Sequence, residues 1–385
     1  MKILIVAGEA SADLHAAHVI SELKKRGPVE LIGVGGDRLI GLGLKPLKTA
    51  REMAVVGLSE AIRKIPQTLS LLKKLAQIAE VEKPDLALLL DLPDFNLRLA
   101  PKLKRLGIPV AYYIAPQVWA WRSKRVIHMA SCIDRLLTIF PFEPEWYQKN
   151  APQELQVRHA GHPVVDEIPD LPYTPESRRV AVLPGSRESE FRALWPDLLA
   201  AMELLAATHP NVIFTVPLAE PLRKSELVAE LLDYGRKKLG EKLRIEECAA
   251  HEVLRISRAA VVASGTATLE TAVVGTPMVV IYRVAPVSAF LFRNFVGYKG
   301  PVAMANLVHV GFSKTERVVP ELLQNEATPA RIARELEVLL CDENVWAMQR
   351  DRLAGTRQIL SSERSPILRA ADEIEALYNE QRAAK

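Results

Sequence analysis

The amino-acid sequence predicts an α/β fold with two Rossmann-like, doubly wound domains, and three observations lead to this prediction. The chain has 385 residues, whereas one domain typically has about 150. Apolar, strand-like runs alternate with segments of helical spacing, as in parallel βαβ units. In both halves, loops rich in glycine, hydroxyl or carboxylate side chains follow predicted strands, which is where such sheets bind ligands.

The first half contains five strand-like runs. The run 86–90 is apolar throughout, which is typical of a strand covered on both faces. After the first run, the segment to Lys25 has the apolar spacing of a helix. The predicted strands are Lys2–Ala7, Leu31–Val34, Leu86–Leu90, Val110–Ile114 and Arg135–Ile139.

Residues 57–80 predict a basic amphipathic helix, because apolar side chains recur every three to four positions with lysine and arginine between them. Such a helix either packs on the sheet as a crossover or docks on an anionic membrane. The sequence leaves both alternatives open. The apolar positions are Leu58, Ile62, Ile65, Leu69, Leu72 and Leu75.

Residues 166–178 are rich in Asp, Glu and Pro and predict a linker, after which a second series of strands begins. From Thr328 the chain is predicted to be helical. The simplest arrangement is two doubly wound domains that face each other across a cleft. The strands of the second series are Val180–Leu183, Val212–Val216, Leu243–Glu246, Ala260–Ala263 and Met278–Tyr282.

Composition excludes several classes of protein. Cys132, Cys248 and Cys341 are too few and too far apart for a disulfide framework or a zinc motif. No run approaches the roughly 18 apolar residues of a membrane-spanning helix. The first apolar run is too short for a signal peptide, and Glu9 follows it directly. We therefore expect a cytoplasmic protein, or one bound to a membrane only at its surface.

The charge is unevenly distributed between the two halves. Residues 1–150 carry 22 basic and 15 acidic side chains, and the remainder carries 28 and 31. A basic half suits nucleic acid, a phosphorylated substrate, an anionic membrane or simply a solvated surface. No nucleic-acid motif is recognisable, so no nucleic-acid partner is expected. Residues 33–36 match a dinucleotide fingerprint only in part, and no cofactor is expected.

Two loops in the second half have the composition of an anion site. Residues 183–190 (LPGSRESE) and 263–270 (ASGTATLE) each follow a strand and precede a helical segment. Helix N-termini at the carboxyl ends of parallel strands present free N–H groups to phosphates. Gly185 permits close backbone approach, and Arg187 offers a guanidinium fork. Together the loops predict a site for the diphosphate of a nucleotide sugar.

Glu270 lies one turn into the second helical segment, where it can accept hydrogen bonds from ribose hydroxyls. Each loop alone also fits an ordinary capped helix start. The candidate substrate-binding residues of the two loops are Arg187, Glu190, Ser264, Gly265, Thr266, Ala267, Thr268 and Glu270.

Carboxylates follow two strands of the first half. Glu9 and Ser11 belong to residues 8–13 (GEASAD), and Asp91, Asp94 and Asn96 belong to residues 91–96 (DLPDFN). Carboxylates at a strand end suit general-base catalysis or the binding of substrate hydroxyls. A helix cap is the alternative role for the two aspartates.

Taken together, these motifs resemble those of the lipid-A-disaccharide synthase family over nearly the whole chain. Several distinct motifs occur in the same order. They are residues 8–13, 91–96, 116–121 (PQVWAW), 140–143 (FPFE), 161–163 (GHP), 183–190, 263–270, 277–280 (PMVV), Asn306 and 320–324 (PELLQ).

The resemblance implies a B-type glycosyltransferase fold in which a C-terminal helix returns to the first domain. The domain bounds expected on this basis are 1–165, 176–345 and, for the returning C-terminal helices, 346–385. The implied reaction is an inverting transfer from UDP-2,3-diacylglucosamine to 2,3-diacylglucosamine 1-phosphate (lipid X). Its products are the lipid A disaccharide 1-phosphate and UDP, and it needs no metal. The resemblance also implies peripheral association with an inner membrane, and an oligomer is possible.

The resemblance further implies roles for individual residues. Asp91 is the expected base, with Asp94 or Glu9 as substitutes, and Asn306 and Gln324 line the nucleotide site. The family usually has glycine where this chain has Ala12. If that position needs a positive φ, the loop that contains Ser11 must adopt a different conformation.

Two alternatives use the same residues differently. A UDP-N-acetylglucosamine 2-epimerase, or another B-type enzyme that uses UDP-N-acetylglucosamine, would share the nucleotide site. A non-catalytic nucleotide-sugar sensor would need no carboxylates at the strand ends of the first half.

Overall fold

The structure, a computed structural model, describes residues 1–49, 58–120, 122–283, 300–312, 315–361 and 364–383. The chain divides into two compact units. The first is Met1–Asp166 together with Leu360–Lys385, and the second is Glu167–Ile359. The chain thus returns to the first unit at Leu360, later than the expected residue 346.

The first unit contains a parallel sheet in the order β3-β2-β1-β4-β5-β6-β7. All five strands predicted for this half are present, and two more were missed. The missed strands are β3, whose LKPLKT sequence lacks a continuous apolar run, and β7, which has three residues. The strands are β1 (Lys2–Ala7), β2 (Glu30–Gly35), β3 (Leu44–Thr49), β4 (Leu86–Leu90), β5 (Val110–Tyr113), β6 (Arg135–Thr138) and β7 (Val157–His159).

Helices connect these strands, and the helix between β3 and β4 carries the amphipathic pattern. The helices are α1 (Ala10–Arg26), α2 (Asp37–Gly41), α3 (Leu58–Glu82), α4 (Pro93–Arg105), α5 (Arg125–Cys132), α6 (Glu143–Asn150) and α7 (Val164–Glu167).

Helix α3 shows how the amphipathic pattern is used. Leu72 and Leu75 are buried and belong to the core that also contains the β1 and β4 side chains. Leu69 is 52% exposed on the same helix. The crossover interpretation is therefore confirmed for the C-terminal half of the helix. The side chains of Leu58, Ile62 and Ile65 lie outside the described residues.

The second unit contains a parallel sheet in the order β10-β9-β8-β11-β12-β13. The five predicted strands are present, and β13 was missed because it has only three residues. The strands are β8 (Glu176–Leu183), β9 (Ile213–Pro217), β10 (Leu243–Glu246), β11 (Ser257–Ala263), β12 (Met278–Tyr282) and β13 (Glu321–Leu323).

Helices of the second unit connect these strands and continue to the point where the chain returns to the first unit. They are α8 (Glu188–Thr208), α9 (Glu226–Leu239), α10 (Ala250–Ile256), α11 (Thr266–Val274), α12 (Met304–Val310), α13 (Pro329–Cys341), α14 (Glu343–Ala354) and α15 (Thr356–Leu360).

The last helix, α16 (Pro366–Ala383), belongs to the first unit and packs on α1. Arg135, at the start of β6, has a 3% exposed side chain and pairs with Glu373 at 2.6 Å and Glu380 at 2.9 Å, both on α16. Burying a guanidinium is unfavourable unless carboxylates and hydrogen bonds compensate it. The return of a C-terminal helix to the first domain is therefore confirmed.

Of the helices that the structure describes, none is long and apolar enough to cross a membrane.

Candidate functional site

The strand order places the predicted loops at corresponding points of the two sheets. In each sheet the first and fourth strands of the unit are neighbours. The strand order reverses between two such strands, and open α/β sheets bind ligands at the carboxyl ends of the strands at this point. In the first unit Ala7 pairs with Leu90, so the loops that begin at Gly8 and Asp91 start side by side. This juxtaposition brings the carboxylate loops of the first unit together.

The same relation holds in the second unit. Leu183 of β8 pairs with Val262 of β11. The loops at 184–187 and 264–265 therefore leave neighbouring strands and lead into α8 and α11. Two helix N-termini at one sheet edge provide unsatisfied N–H groups and a positive dipole end, which favour a diphosphate.

Gly185 is required by the geometry of its loop. Its φ is +107°, and a Cβ atom there would lie 2.6 Å from Glu190 Oε2. Glu190 also accepts a hydrogen bond of 3.0 Å from Arg187 Nη1. Arg187 occupies the N-cap position of α8, and its side chain is 53% exposed. Glu190 thus supports the loop, while Arg187 stays accessible to an anion.

The second loop contains both exposed and buried residues. Gly265 and Thr266 are exposed, and Ser264 anchors the loop because its N–H donates to Ile281 O at 2.9 Å. Thr268 is fully buried, and its hydroxyl donates to Gly265 O at 2.8 Å. Thr268 therefore stabilises the loop through this hydrogen bond. Ala267 and Glu270 are half-buried at the start of α11.

Two residues at the C-terminal end of β12, Tyr282 and Arg283, were not among the predicted site residues. Burial raises the pKa of Tyr282, and the nearby Glu190 carboxylate adds to this increase. Arg283 follows directly, pairs with Asp197 and donates to Ala327 O at 3.0 Å. Their position at the end of a predicted strand was the available signal, since side chains at that edge converge on the same region.

Asn306, which was predicted to line the nucleotide site, is fully buried, and its side-chain amide is hydrogen-bonded to neighbouring main-chain groups and to Glu321. Its Oδ1 accepts from Val318 N at 2.6 Å and Val319 N at 2.9 Å. Its Nδ2 donates to Val319 O at 2.9 Å and Glu321 Oε1 at 2.8 Å. Asn306 connects α12 to the segment that enters β13.

Gln324 lies directly after β13 at the carboxyl edge of the second sheet. It is half-buried and has a φ of +53°, a left-handed conformation that is uncommon for a residue other than glycine. Its place at this edge agrees with the predicted role in the nucleotide site, which stays a prediction.

In the first unit, the backbone is strained where the acidic loop begins. Asp91 and Leu92 have φ values of +49° and +43°. Left-handed residues other than glycine cost about 1–3 kcal/mol each and cluster at functional sites. Asn96 Nδ2 holds the turn by donating to Asp91 O at 2.7 Å and Leu90 O at 3.0 Å, and the Tyr112 hydroxyl also donates to Asp91 O.

Asn96 is itself fully buried, and its Nδ2 supports the main chain at Leu90 and Asp91. The carboxylate of Asp91 is half-buried at the strand end. Asp94 is more exposed and is engaged by two guanidinium groups, those of Arg122 at 3.2 Å and Arg125 at 2.5 Å. Both contacts use the same oxygen, Asp94 Oδ1.

The loop after β1 turns immediately into α1. Glu9 occupies the N-cap position, and Ser11 lies half-buried in the first turn. Ala12 lies within the helix, where a positive φ is not needed, so glycine is dispensable there. Asp13 is buried, and its carboxylate accepts hydrogen bonds from Gly36 N at 2.6 Å and Arg38 N at 3.1 Å.

A buried carboxylate organises the aromatic loop that follows β5. Both Glu143 oxygens are used: Oε2 accepts from Ile139 N and Phe140 N at 2.9 Å, and Oε1 accepts from Trp119 Nε1 at 3.1 Å. Burial raises the pKa of Glu143 to about 7. Burial also lowers the pKa of the neighbouring His162 to about 3, so that this imidazole is neutral. Trp121 lies outside the described residues.

No group of three or more His, Cys, Asp or Glu side chains in the described ranges is arranged to hold a metal ion. Two guanidinium groups lie at the carboxyl edge of the second unit, those of Arg187, which pairs with Glu190, and of the less exposed Arg283, which pairs with Asp197. Guanidinium forks bind phosphate oxygens directly.

Solved structures with related folds identify the architecture. UGT73P12 of Glycyrrhiza uralensis superposes with a TM-score of 0.62 at 13% identity, covering 100% of this chain and 97% of the other. A UDP-GlcNAc 2-epimerase from Neisseria meningitidis gives a TM-score of 0.58 at 14% identity, covering 93% and 98%. These likenesses confirm the predicted B-type glycosyltransferase fold.

Proteins related in sequence identify the family more narrowly than the similarity of folds does. The model of the lipid-A-disaccharide synthetase family matches residues 3–374. The lipid-A-disaccharide synthase of Anaeromyxobacter dehalogenans (strain 2CP-C) is 41% identical over 385 residues, 97% of this chain and 96% of the relative. The chain therefore belongs to the lipid-A-disaccharide synthetase family and is a glycosyltransferase of lipid A biosynthesis.

Proposed function

We propose that this enzyme transfers 2,3-diacylglucosamine from UDP-2,3-diacylglucosamine to the 6-hydroxyl of 2,3-diacylglucosamine 1-phosphate (lipid X), with inversion. The observation that carries the proposal is the matched placement of the loops. Carboxylates follow neighbouring strands in the first unit, and glycine- and hydroxyl-rich helix starts follow neighbouring strands in the second. The first set suits a sugar acceptor and the second a nucleotide diphosphate.

In the proposed reaction, the acceptor oxygen forms a bond to the anomeric carbon as the bond from that carbon to the UDP phosphate oxygen breaks. The Asp91 carboxylate takes the hydroxyl proton, and UDP leaves with the bonding electron pair. Negative charge therefore develops on the diphosphate, where Arg187 and the N–H groups near 264–268 would stabilise it. Glu270 would accept hydrogen bonds from the ribose, and Ser11 would contact the acceptor.

Replacing Arg187 with alanine should weaken UDP binding by about 1.5–3 kcal/mol, because a hydrogen bond to a charged group contributes that much. Isothermal titration of UDP into both proteins measures the difference. Arg192→Ala is the matched control, since this arginine is exposed on the same helix. An Arg187→Ala protein that bound UDP as tightly as the control would contradict the assignment of the donor site.

Product analysis tests the reaction itself. With UDP-2,3-diacylglucosamine and lipid X together, we expect a disaccharide 1-phosphate and an equal amount of UDP. With UDP-N-acetylglucosamine alone, we expect neither epimerisation at carbon 2 nor UDP release. Epimerisation without an acceptor would instead support the alternative of a 2-epimerase.

We also propose peripheral association with the cytoplasmic face of an anionic inner membrane, because both substrates carry acyl chains. Helix α3 exposes Leu69 together with Lys73 and Lys74. Apolar and basic side chains on one helix favour binding to an anionic bilayer surface.

Leu69→Ser should reduce flotation with phosphatidylglycerol-containing liposomes while leaving the melting transition unchanged. Leu72→Ser is the contrasting variant, because this side chain is 3% exposed in the core. Truncation of a buried leucine typically costs about 2–5 kcal/mol, so Leu72→Ser should lower the melting temperature. Undiminished flotation of Leu69→Ser would remove this residue from the membrane-binding surface.

A further inference from the structure

The second unit contains a cleft that the proposed reaction does not use. Its volume is about 270 Å3, and its walls include Tyr173, Arg255, Val274, Arg350 and Arg357. Tyr173 precedes β8, Arg255 lies near the end of α10 just before β11, and Val274 ends α11 before β12. The cleft therefore lies at the amino edge of the sheet, whereas the diphosphate loops lie at the carboxyl edge.

Three guanidinium groups line this cleft, and few carboxylates accompany them. Arg255 Nη1 donates to Pro172 O at 3.4 Å, and Arg357 Nη2 donates to Ile168 O at 2.8 Å. Asp170, the single carboxylate of the lining, lies 3.5 Å from Arg357 and is 87% exposed. Within the part of the chain that the structure describes, no carboxylate lies within 4.0 Å of Arg255 or Arg350. The lining thus has an excess of two positive charges.

Arg350 is held in position without an acidic partner. Its guanidinium carbon lies 4.6 Å from the centre of the Tyr173 ring, a cation–π distance. The Tyr173 hydroxyl is fixed by donating to Ser257 O at 2.8 Å. A Cβ atom at Gly275 would lie 2.2 Å from Arg350 Nη1, so the absence of a side chain at this position permits the close approach of the guanidinium.

The C-terminal end of α11 also attracts the positive charge of Arg350. It does not explain why Arg255 and Arg357 line the same cleft. Like charges that share a site repel one another unless an anion compensates them. Guanidinium forks match phosphate oxygens in geometry, and the cleft has room for more than a single water molecule.

We propose that this cleft is a second anion site that binds a phosphate monoester or diphosphate group, separate from the donor site. Arg255 and Arg350 donate to the phosphate oxygens, and Arg357 adds positive charge. The group belongs either to a free phosphorylated compound or to a lipid headgroup. Helix α11 runs from the donor loop at Thr266 to the cleft at Val274, so it contacts both sites.

Calorimetric titration with inorganic pyrophosphate tests this proposal in four proteins. Arg255→Gln should weaken binding to the second site about tenfold or more, as expected for the loss of a charge-assisted hydrogen bond. Arg334→Gln, which changes an exposed arginine of the same unit, should bind as the wild type does. Arg187→Ala should retain one pyrophosphate site. If Arg187→Ala lost all pyrophosphate binding and Arg255→Gln lost none, the proposal of a second site would be overturned. The assignment of the donor site would be unaffected by that result.

Two further measurements complete the test. Flotation with phosphatidylcholine vesicles containing phosphatidic acid distinguishes a lipid headgroup from a free phosphorylated compound. If the ligand is a headgroup, Arg255→Gln should float less than the wild type; if the ligand is a free compound, both proteins should float equally.

If Arg255→Gln fails to fold, modification of the wild-type protein with phenylglyoxal is the alternative measurement. Pyrophosphate should then protect Arg255 and Arg350 but not Arg334, and equal modification rates with and without pyrophosphate would contradict the site.

Discussion

Asp91→Asn is expected to lower kcat by about 10²–10⁴, the usual contribution of a positioned general base. The substitution keeps the size of the side chain and removes its ability to take a proton. The strained backbone at Asp91 and Leu92, held by Asn96 and Tyr112, is formed by main-chain groups and should persist in the variant. Disaccharide formation at saturating concentrations of both substrates is the measurement.

Two aspartates of the same unit serve as controls. Asp85 precedes β4 at the opposite end of the strand and accepts a hydrogen bond from Lys2 N at 2.7 Å. Asp85→Asn should therefore leave kcat unchanged. Asp94→Asn should have a smaller effect than Asp91→Asn, because Asp94 is engaged by Arg122 and Arg125. Full turnover by Asp91→Asn would exclude it as the base, and a larger loss in Asp94→Asn would transfer the role to Asp94.

Asn306→Leu is expected to lower the free energy of unfolding by at least about 3 kcal/mol. The change conserves volume approximately but leaves the N–H groups of Val318 and Val319 and the carbonyl of Val319 without their side-chain partner. Each buried group that loses its hydrogen bond costs about 1–3 kcal/mol. Urea denaturation followed by circular dichroism gives the difference.

Asn325→Leu is the control, because this asparagine is exposed in the turn after β13. It should change the free energy of unfolding by no more than about 0.5 kcal/mol. The Asn306 result also separates two roles. A stable Asn306→Leu protein with weakened UDP binding would favour direct contact with the nucleotide over the connecting role that its burial indicates.

Much of the fold was predictable because regular elements have local signals. The continuous apolar runs of β4 and β8 and the helical spacing after β1 are properties of neighbouring residues. The strands that were missed, β3, β7 and β13, are short or interrupted by lysine and proline. Their strand conformation depends on pairing with a neighbouring strand, which contributes little to a local pattern.

The candidate site was predictable only to the level of its loops. Parallel strands place all their carboxyl ends at one edge, so a loop that follows a strand can be assigned to that edge from the sequence. The sequence does not indicate whether a side chain in such a loop is exposed or buried. Arg187 is exposed, whereas Asn96, Thr268 and Asn306 turn inward and bond to the main chain. Residue type did not distinguish these positions, since hydroxyls and amides serve loops and ligands equally well.

The sequence by itself determined the α/β class, the order of the strands along the chain, the family, and the loops that carry the chemistry. Only the tertiary structure decided which groups meet. Arg125 and Asp94 are 31 residues apart, and Arg135 and Glu380 are 245 apart. The periodicity of a sequence reports which face of an element is buried, because that depends on local geometry. Hydrogen bonds and ion pairs depend on distances between atoms that are remote in the chain, and those distances are set when the elements pack.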